Sequence, residues 1–340
     1  MTASDLEIER AAAYLKAGKL VAFPTETVYG LGADATNENA LAALYALKGR
    51  PVSHPVIVHI ASVQELQSWA KNIPDDAYKL AEKFWPGPMT LILPKADHVL
   101  GQVTGGQDSV GLRVPAHPLA LKLLALTGGL AAPSANRFGR LSPTTAQAVI
   151  LEFKDDAGLA MVLDGGACDV GIESTIVALN SGAGSAKILR PGMIDAGAVE
   201  DLLGYKVTYS ETRDSGTRVP GSLPSHYAPE TKLTVADAAD LIVLVMELNA
   251  LDKGVGVMAS AATVAILKDN LTGRGYDRII TAPDSADEYA RLLYEQMRRF
   301  DQLKLDRIFV EAVPAGNQWD GVRDRLQRAS AESELAADTD

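Results

Sequence analysis

The stretch Pro24-Thr25-Glu26-Thr27-Val28-Tyr29-Gly30-Leu31-Gly32 decides how the first two hundred residues are read. An apolar run, Leu20-Val21-Ala22-Phe23, precedes it and reads as a short buried strand. Asn37 to Lys48 follows and reads as a helix, with Gly49 as C-cap and Pro51 as stop. Between them lie two threonines, a glutamate, a tyrosine and two glycines, with little to bury. A strand that breaks into a polar, glycine-bearing turn at its C-terminal end is where open α/β sheets place ligands. The stretch therefore predicts an α/β domain with one wall of a pocket at this turn.

Strands and helices alternate outward from this point. Strands are expected at Val56–Ile60, Met89–Leu93, Val110–Val114, Leu130–Ala132, Ala160–Leu163, Ser174–Leu179 and Lys187–Leu189. Helices are expected over Asp5–Ala17, Val63–Trp69, Asp75–Phe84, His117–Leu126, Thr144–Phe153 and Asp195–Leu203. Gly101 to Gly106 reads as a glycine-rich loop. Residues 208–230 have no period and are rich in proline and glycine, so they read as a linker. From 231 to 330 a βα alternation implies a smaller parallel sheet with helices on its faces. Residues 331–340 form an acidic, alanine-rich tail that reads as disordered.

The composition sets limits on function. A chain of 340 residues suits two domains. One cysteine, Cys168, leaves no internal disulfide and fits a reducing compartment. The acidic start lacks the apolar core of a signal peptide, and no run is long enough for a membrane span. A cytoplasmic location is expected. The net charge of −11 counts against binding nucleic acid in bulk by phosphate neutralisation.

Candidate residues for chemistry lie at the ends of the apolar runs. Lys48 and Arg50 pair a point charge with a fork-shaped donor, both suited to phosphate, although cations at a helix end also offset its dipole. His54 and His59 flank the second strand, and no Cys/His spacing indicates a zinc site. Ser134, Asn136 and Ser142 share a loop with Arg137 and Arg140, in a setting that suits an anion or merely caps a helix. Arg113 and Arg190 each end a strand. No GxxxxGK[ST] loop and no GxSxG elbow is present.

Taken together, PTETVYGLG, KGRP, HPVIVHI, WPGPMTLIL, VGLRVPAHP, APSAN with LSPT, IESTIV, ILRPG and SHYAP, in this order, resemble the threonylcarbamoyl-AMP synthases. The resemblance is to a YrdC-like catalytic domain over about residues 5–207, in the long form with linker and C-terminal domain. It implies a twisted open mixed sheet with helices (residues 1–207), joined by the linker to a small Rossmann-like parallel α/β domain. It implies synthesis of threonylcarbamoyl-adenylate and pyrophosphate from L-threonine, bicarbonate or CO2, and ATP. The product would feed N6-threonylcarbamoyladenosine formation in tRNA.

By the same resemblance, Thr27, His59, Arg113, Ala132 and Ser174 would hold threonine, with Arg113 on its carboxylate. Lys48 and Arg50 would be catalytic, and Arg50, His54, Ser109, Ser134, Asn136, Ser142 and Arg190 would surround ATP. His226 and Tyr227 would reach back from the linker and cover the pocket. Mg2+ would arrive with ATP. One departure stands in the linker, where Ser222-Leu223-Pro224 follows Gly221 and Pro224 stiffens the segment. The alternative is a module that binds double-stranded RNA or tRNA by shape and phosphate contacts. A carbamoyl-transfer enzyme of metal-cofactor assembly is disfavoured, because its zinc-finger and acylphosphatase-like regions have no counterpart here.

Overall fold

The structure is a computed structural model and describes residues 4–154, 156–179, 184–210, 217–221, 227–250, 253–271 and 278–331. The chain divides into two units, residues 1–138 with 142–222, and residues 139–141 with 223–340.

The first unit is built on strands β1 (Leu20–Phe23), β2 (Gly30–Asp34), β3 (Ile57–His59), β4 (Met89–Pro94), β5 (Ser109–Arg113), β6 (Leu130–Ala131), β7 (Leu159–Val162), β8 (Thr175–Leu179), β9 (Ala186–Arg190) and β10 (Thr208–Tyr209). They form one mixed sheet in the order β10-β9-β8-β4-β5-β3-β6-β2-β1-β7. β1 shows why its sequence is apolar at every position. Successive side chains of a strand point to opposite faces. Leu20 and Ala22 enter one core, with the helix Glu38–Lys48. Val21 and Phe23 enter the other, with the helices Asp5–Lys16 and Pro118–Thr127. A strand covered on both faces has no position for a polar residue.

Local signals set the helix ends. The side chain of Asn37 caps the helix Glu38–Lys48 by accepting from the amides of Asn39 and Ala40. Gly49 closes it at φ +62°, the left-handed conformation that glycine adopts without strain.

Two local expectations are corrected. The opening stretch does not run from strand to turn to helix. Gly30–Asp34 is itself a strand, antiparallel to β1 with Phe23 opposite Gly30. A glycine-bearing segment of low strand propensity is made extended by pairing on both sides, with β1 and β6. The expected loop at Gly101–Gly106 begins with a helical turn, Gly101–Thr104. Gly105 ends it at φ +59°, and a Cβ there would meet the Ser53 carbonyl at 2.4 Å.

The segment read as a linker is not uniform. Thr208–Tyr209 adds an edge strand to β9. Val219 packs with Ile57, Ile92 and Ile176. Arg218 donates to the Gly105 carbonyl at 2.8 Å, and its amide donates to Gln107 at 2.6 Å. Residues 211–216, 222–226 (with His226) and the tail from 332 lie outside the described residues.

The second unit has strands β11 (Leu233–Ala236), β12 (Val255–Ala259), β13 (Ile279–Thr281) and β14 (Arg307–Glu311), in the order β11-β14-β12-β13. All are parallel, as the βα alternation predicts. Gly139–Leu141 belong to this unit, where the Ala228 amide donates to the Gly139 carbonyl at 3.1 Å.

Candidate active site

The loop Pro24–Tyr29 is polar yet buried, so its backbone must find partners. Thr25 supplies some of them: its hydroxyl accepts from the Thr27 and Val28 amides, each at 3.2 Å, and lies 2.8 Å from the Thr27 hydroxyl. Distant segments supply the rest. The Val170 amide donates to Glu26 at 2.7 Å and the Gly171 amide to Thr27 at 3.1 Å. The Tyr29 amide donates to Pro143 and its carbonyl accepts from Ala135, both at 2.8 Å. These bonds stitch the opening loop to the segments that carry Ser134, Ser142 and Ser174.

Arg113, at the end of β5, reaches this loop. Its Nη1 donates to the Thr27 hydroxyl at 2.9 Å, its Nη2 to the Glu26 carboxylate at 2.6 Å and its Nε to the Gly87 carbonyl at 3.2 Å. The carboxylate it holds is therefore the protein's own. Glu26 is fixed in turn by the Ala116 amide at 2.9 Å. An Arg has five N–H donors, so this ion pair leaves part of the guanidinium for a further acceptor. Gly87 is required beneath it, since a Cβ there would stand 2.3 Å from the Phe84 carbonyl.

His59 lies beside Arg113, in register across β3 and β5. Burial, with the Arg113 charge, lowers its pKa to about 3, so the ring is neutral near pH 7. Its Nδ1 is buried and has no partner among the described residues. Ala132 is buried next to Gly30, its amide donating to the Ile57 carbonyl at 3.0 Å.

A second group forms around Ser174. Its hydroxyl lies 2.8 Å from that of Thr90, and Arg190 donates to the Ser174 carbonyl at 2.9 and 3.1 Å. Arg190 also donates to Pro220 at 2.9 Å, which ties the segment 217–221 to this wall. Ser142 donates to Glu173, the neighbour of Ser174.

The third group centres on Lys48. Its ammonium donates to the carbonyls of Ser134 and Asn136. Burial, and next the charge of Arg50, push its pKa well below the usual lysine value, opposed by Glu152. Arg50 donates to Pro55 at 2.7 Å and to His54 at 3.2 Å, and its guanidinium lies 5.4 Å from the Phe138 ring centroid. His54 meets the same ring edge-on at 5.3 Å, and burial with the charges of Arg50 and Arg218 lowers its pKa.

Ser109 is the opposite end of β5 from Arg113, which at ~3.3 Å per residue separates them by about 13 Å. Tyr227 lies in the second unit, 5.1 Å beneath Arg325 and 6.0 Å from the Tyr294 ring. Cys168 is buried and its thiol is pushed up by burial, so it is held as a neutral side chain.

Sequence reasoning missed Glu26, Glu173 and Thr90 as partners of Arg113, Ser142 and Ser174. The available signal was a lone glutamate inside PTET and another inside IEST, each flanked by residues with no reason to be exposed.

The fold and site define an open α/β protein with a smaller parallel α/β unit and a buried polar cluster of hydroxyls and cations in the larger one. The Sua5/YciO/YrdC family model, described as telomere recombination, matches residues 13–192. The model described as the threonylcarbamoyl-AMP synthase C-terminal domain matches 193–331. The threonylcarbamoyl-AMP synthase of Pyrococcus abyssi is 38% identical, over 96% of this chain and 94% of that protein. That of Bacillus subtilis is 35% identical, over 97% and 94%. The crystal structure of P. abyssi Sua5 complexed with L-threonine superposes with a TM-score of 0.86 at 36% identity, covering 96% of this chain and 95% of that one. The chain belongs to the threonylcarbamoyl-AMP synthase family.

Proposed function

We propose that the chain makes threonylcarbamoyl-AMP and pyrophosphate from L-threonine, bicarbonate or CO2, and ATP. One observation carries the reading. The Thr27–Arg113 wall and the Lys48–Ser134 loop join through the opening loop into one buried polar network. The first suits an amino acid and the second a phosphate chain. The threonine complex of the P. abyssi relative supports the amino-acid side. The synthase names of the long relatives favour this reading over an RNA-binding module.

The threonine amine adds to CO2, a C=O π pair moving to oxygen and a proton passing to water, or to bicarbonate with loss of water, and either way a C–N bond and a carbamate form. A carbamate oxygen then attacks the α-phosphorus in line, and pyrophosphate leaves with the electron pair of the broken P–O bond. The protein's part is positioning and charge stabilisation. A ring with a pKa near 3 is a poor base at neutral pH, so His59 is assigned to accept a hydrogen bond from the amine, not to remove its proton. Lys48 and Arg50 are assigned to the phosphates. A phosphate beside Lys48 would favour its protonated form, the reverse of what burial does.

Among the described residues no group of three or more His, Cys, Asp or Glu is placed to hold a metal. Mg2+ is assigned to the substrate, as MgATP, with phosphates and water as its ligands. No helix of the described residues is long and apolar enough to cross a membrane. A cytoplasmic reaction, with the product passed to tRNA-modifying machinery and little direct tRNA binding, completes the proposal. Covering of the pocket by His226 and Tyr227 is part of the same proposal.

The test is pyrophosphate release with each substrate omitted in turn. Release should need all three, and Arg50→Ala should abolish it with the fold intact. Release without threonine would defeat the substrate assignment.

A further inference from the structure

The second unit holds a cavity lined by none of the residues assigned above. Its strands are all parallel, so their C-terminal ends share one edge, where such sheets bind ligands. A cavity of about 180 Å3 opens at that edge, between the segments that follow β12, β13 and β14. Ser260, Asp284, Tyr289, Glu311 and Trp319 line it, with Pro283, Pro314 and small apolar groups. Its lining carries two carboxylates and no Lys, Arg or His.

The position an anion would take is already filled. The helix Ala261–Asn270 starts here, capped by Ser260. Glu311 accepts from the Ser260 amide at 2.8 Å and from the Ser260 hydroxyl at 3.2 Å, placing negative charge at that helix end. Each carboxylate oxygen keeps acceptor capacity after these bonds. Tyr289 is the second observation. It is 3% exposed, and its hydroxyl is buried with no partner among the described residues. Burial and the Glu311 charge hold that hydroxyl in its protonated form. A buried hydroxyl without a partner is destabilising, and Tyr289 is one of the residues that line the cavity. The Tyr289 ring meets the buried Trp319 edge-on at 5.7 Å, giving an aromatic surface beside the carboxylate.

We propose that this cavity binds a small organic ammonium ion. Its N–H groups would rest on the Glu311 carboxylate and the Tyr289 oxygen, and its apolar body on Trp319. Aromatic rings and carboxylates together select a cation, and Asp284, exposed at the cavity, adds attraction of the same sign. A carboxylate ligand meets two like charges, and a neutral one gains nothing from either.

The experiment is a calorimetric titration of the full chain at pH 7 with three probes of similar body and different charge: 2-phenylethylamine, 2-phenylethanol and 3-phenylpropanoate. The amine should bind at least about tenfold more tightly than the alcohol, and the carboxylate not at all. Glu311→Gln should weaken the amine about tenfold and Asp284→Asn about threefold, with alcohol affinity unchanged. Asp284 is exposed and has no described hydrogen bond, so Asp284→Asn keeps the test open if Glu311→Gln fails to fold. Tyr289→Phe should weaken amine and alcohol alike. Binding of the carboxylate as tight as the amine, or no binding of the amine at millimolar concentration, overturns the proposal. So does amine affinity unchanged in both charge variants.

Discussion

Arg113 and Lys48 are both buried cations of the first unit, 3% and 2% exposed, yet their acceptors differ in kind. Arg113 holds a carboxylate, Glu26, together with a hydroxyl and a carbonyl. The described acceptors of Lys48 are two backbone carbonyls, and Glu152 acts on it only from a distance. The first wall is charge-balanced within the protein, so on the proposed reading it selects by hydrogen bonds and shape. The second is preorganised positive charge kept out of water, the arrangement that stabilises charge developing on a phosphate. Composition alone cannot show this difference, because both residues count as one base in an acidic chain.

The comparison is broken most directly at Lys48. Lys48→Met should lower pyrophosphate release about a thousandfold, as expected when a charge that stabilises the transition state is lost. Stability should move little, by less than about 2 kcal/mol, because relief of a desolvated charge offsets two orphaned carbonyls. Activity within a few-fold of the parent would remove Lys48 from the phosphate side. Glu26→Gln should do the opposite. It leaves Arg113 buried without its counter-charge, and the denaturant midpoint should report a loss of about 3–5 kcal/mol. The double variant Glu26→Gln, Arg113→Met should recover part of that loss; no recovery would mean the pair is not the balanced unit described.

Smaller effects sharpen the first wall. His59 has a folded-state pKa of about 3, below its unfolded value of ~6.5. The unfolded chain therefore takes up the proton first as pH falls. The stability His59 contributes is full above pH ~6.5 and is lost progressively as pH falls towards 3. His59→Gln should flatten that part of the stability–pH curve, measured beside the parent to subtract the carboxylates. An unchanged curve would show that burial does not control the ring. Thr27→Val, the mildest change, removes one acceptor of Arg113 and should cost about 1 kcal/mol. On the proposed reading it should also raise the KM for threonine several-fold with little change in kcat.

Local features of the fold were legible because local forces set them. Asn37 and Gly49 mark a helix whose caps they are, and the second unit's alternation of apolar runs and helices gives its parallel sheet. β2 was hidden, since Gly30 and Gly32 argue against a strand until β1 and β6 pair with it. In the site, residue types at the ends of apolar runs pointed to Arg113 and Lys48, and the family resemblance to Thr27 and Ser174. Their pairing did not follow, because Arg113 lies 87 residues from Glu26 and Thr90 lies 84 from Ser174. Partnership over such distances depends on the order of strands in the sheet, which no short window encodes.

The segment Thr217–Gly221 has a consequence for how the chain assembles. It joins Gln107 across 111 residues of sequence and Arg190 across 30. Contacts of such separation carry a large loop-closure cost and form only once their targets exist. The sheet that presents Ile57, Ile92 and Ile176 must be in place before Val219 has anything to cover. This short strap should dock last in folding and be the first part to let go. Amide exchange at Arg218 should then run ahead of exchange in β4 and β8, through an opening smaller than global unfolding.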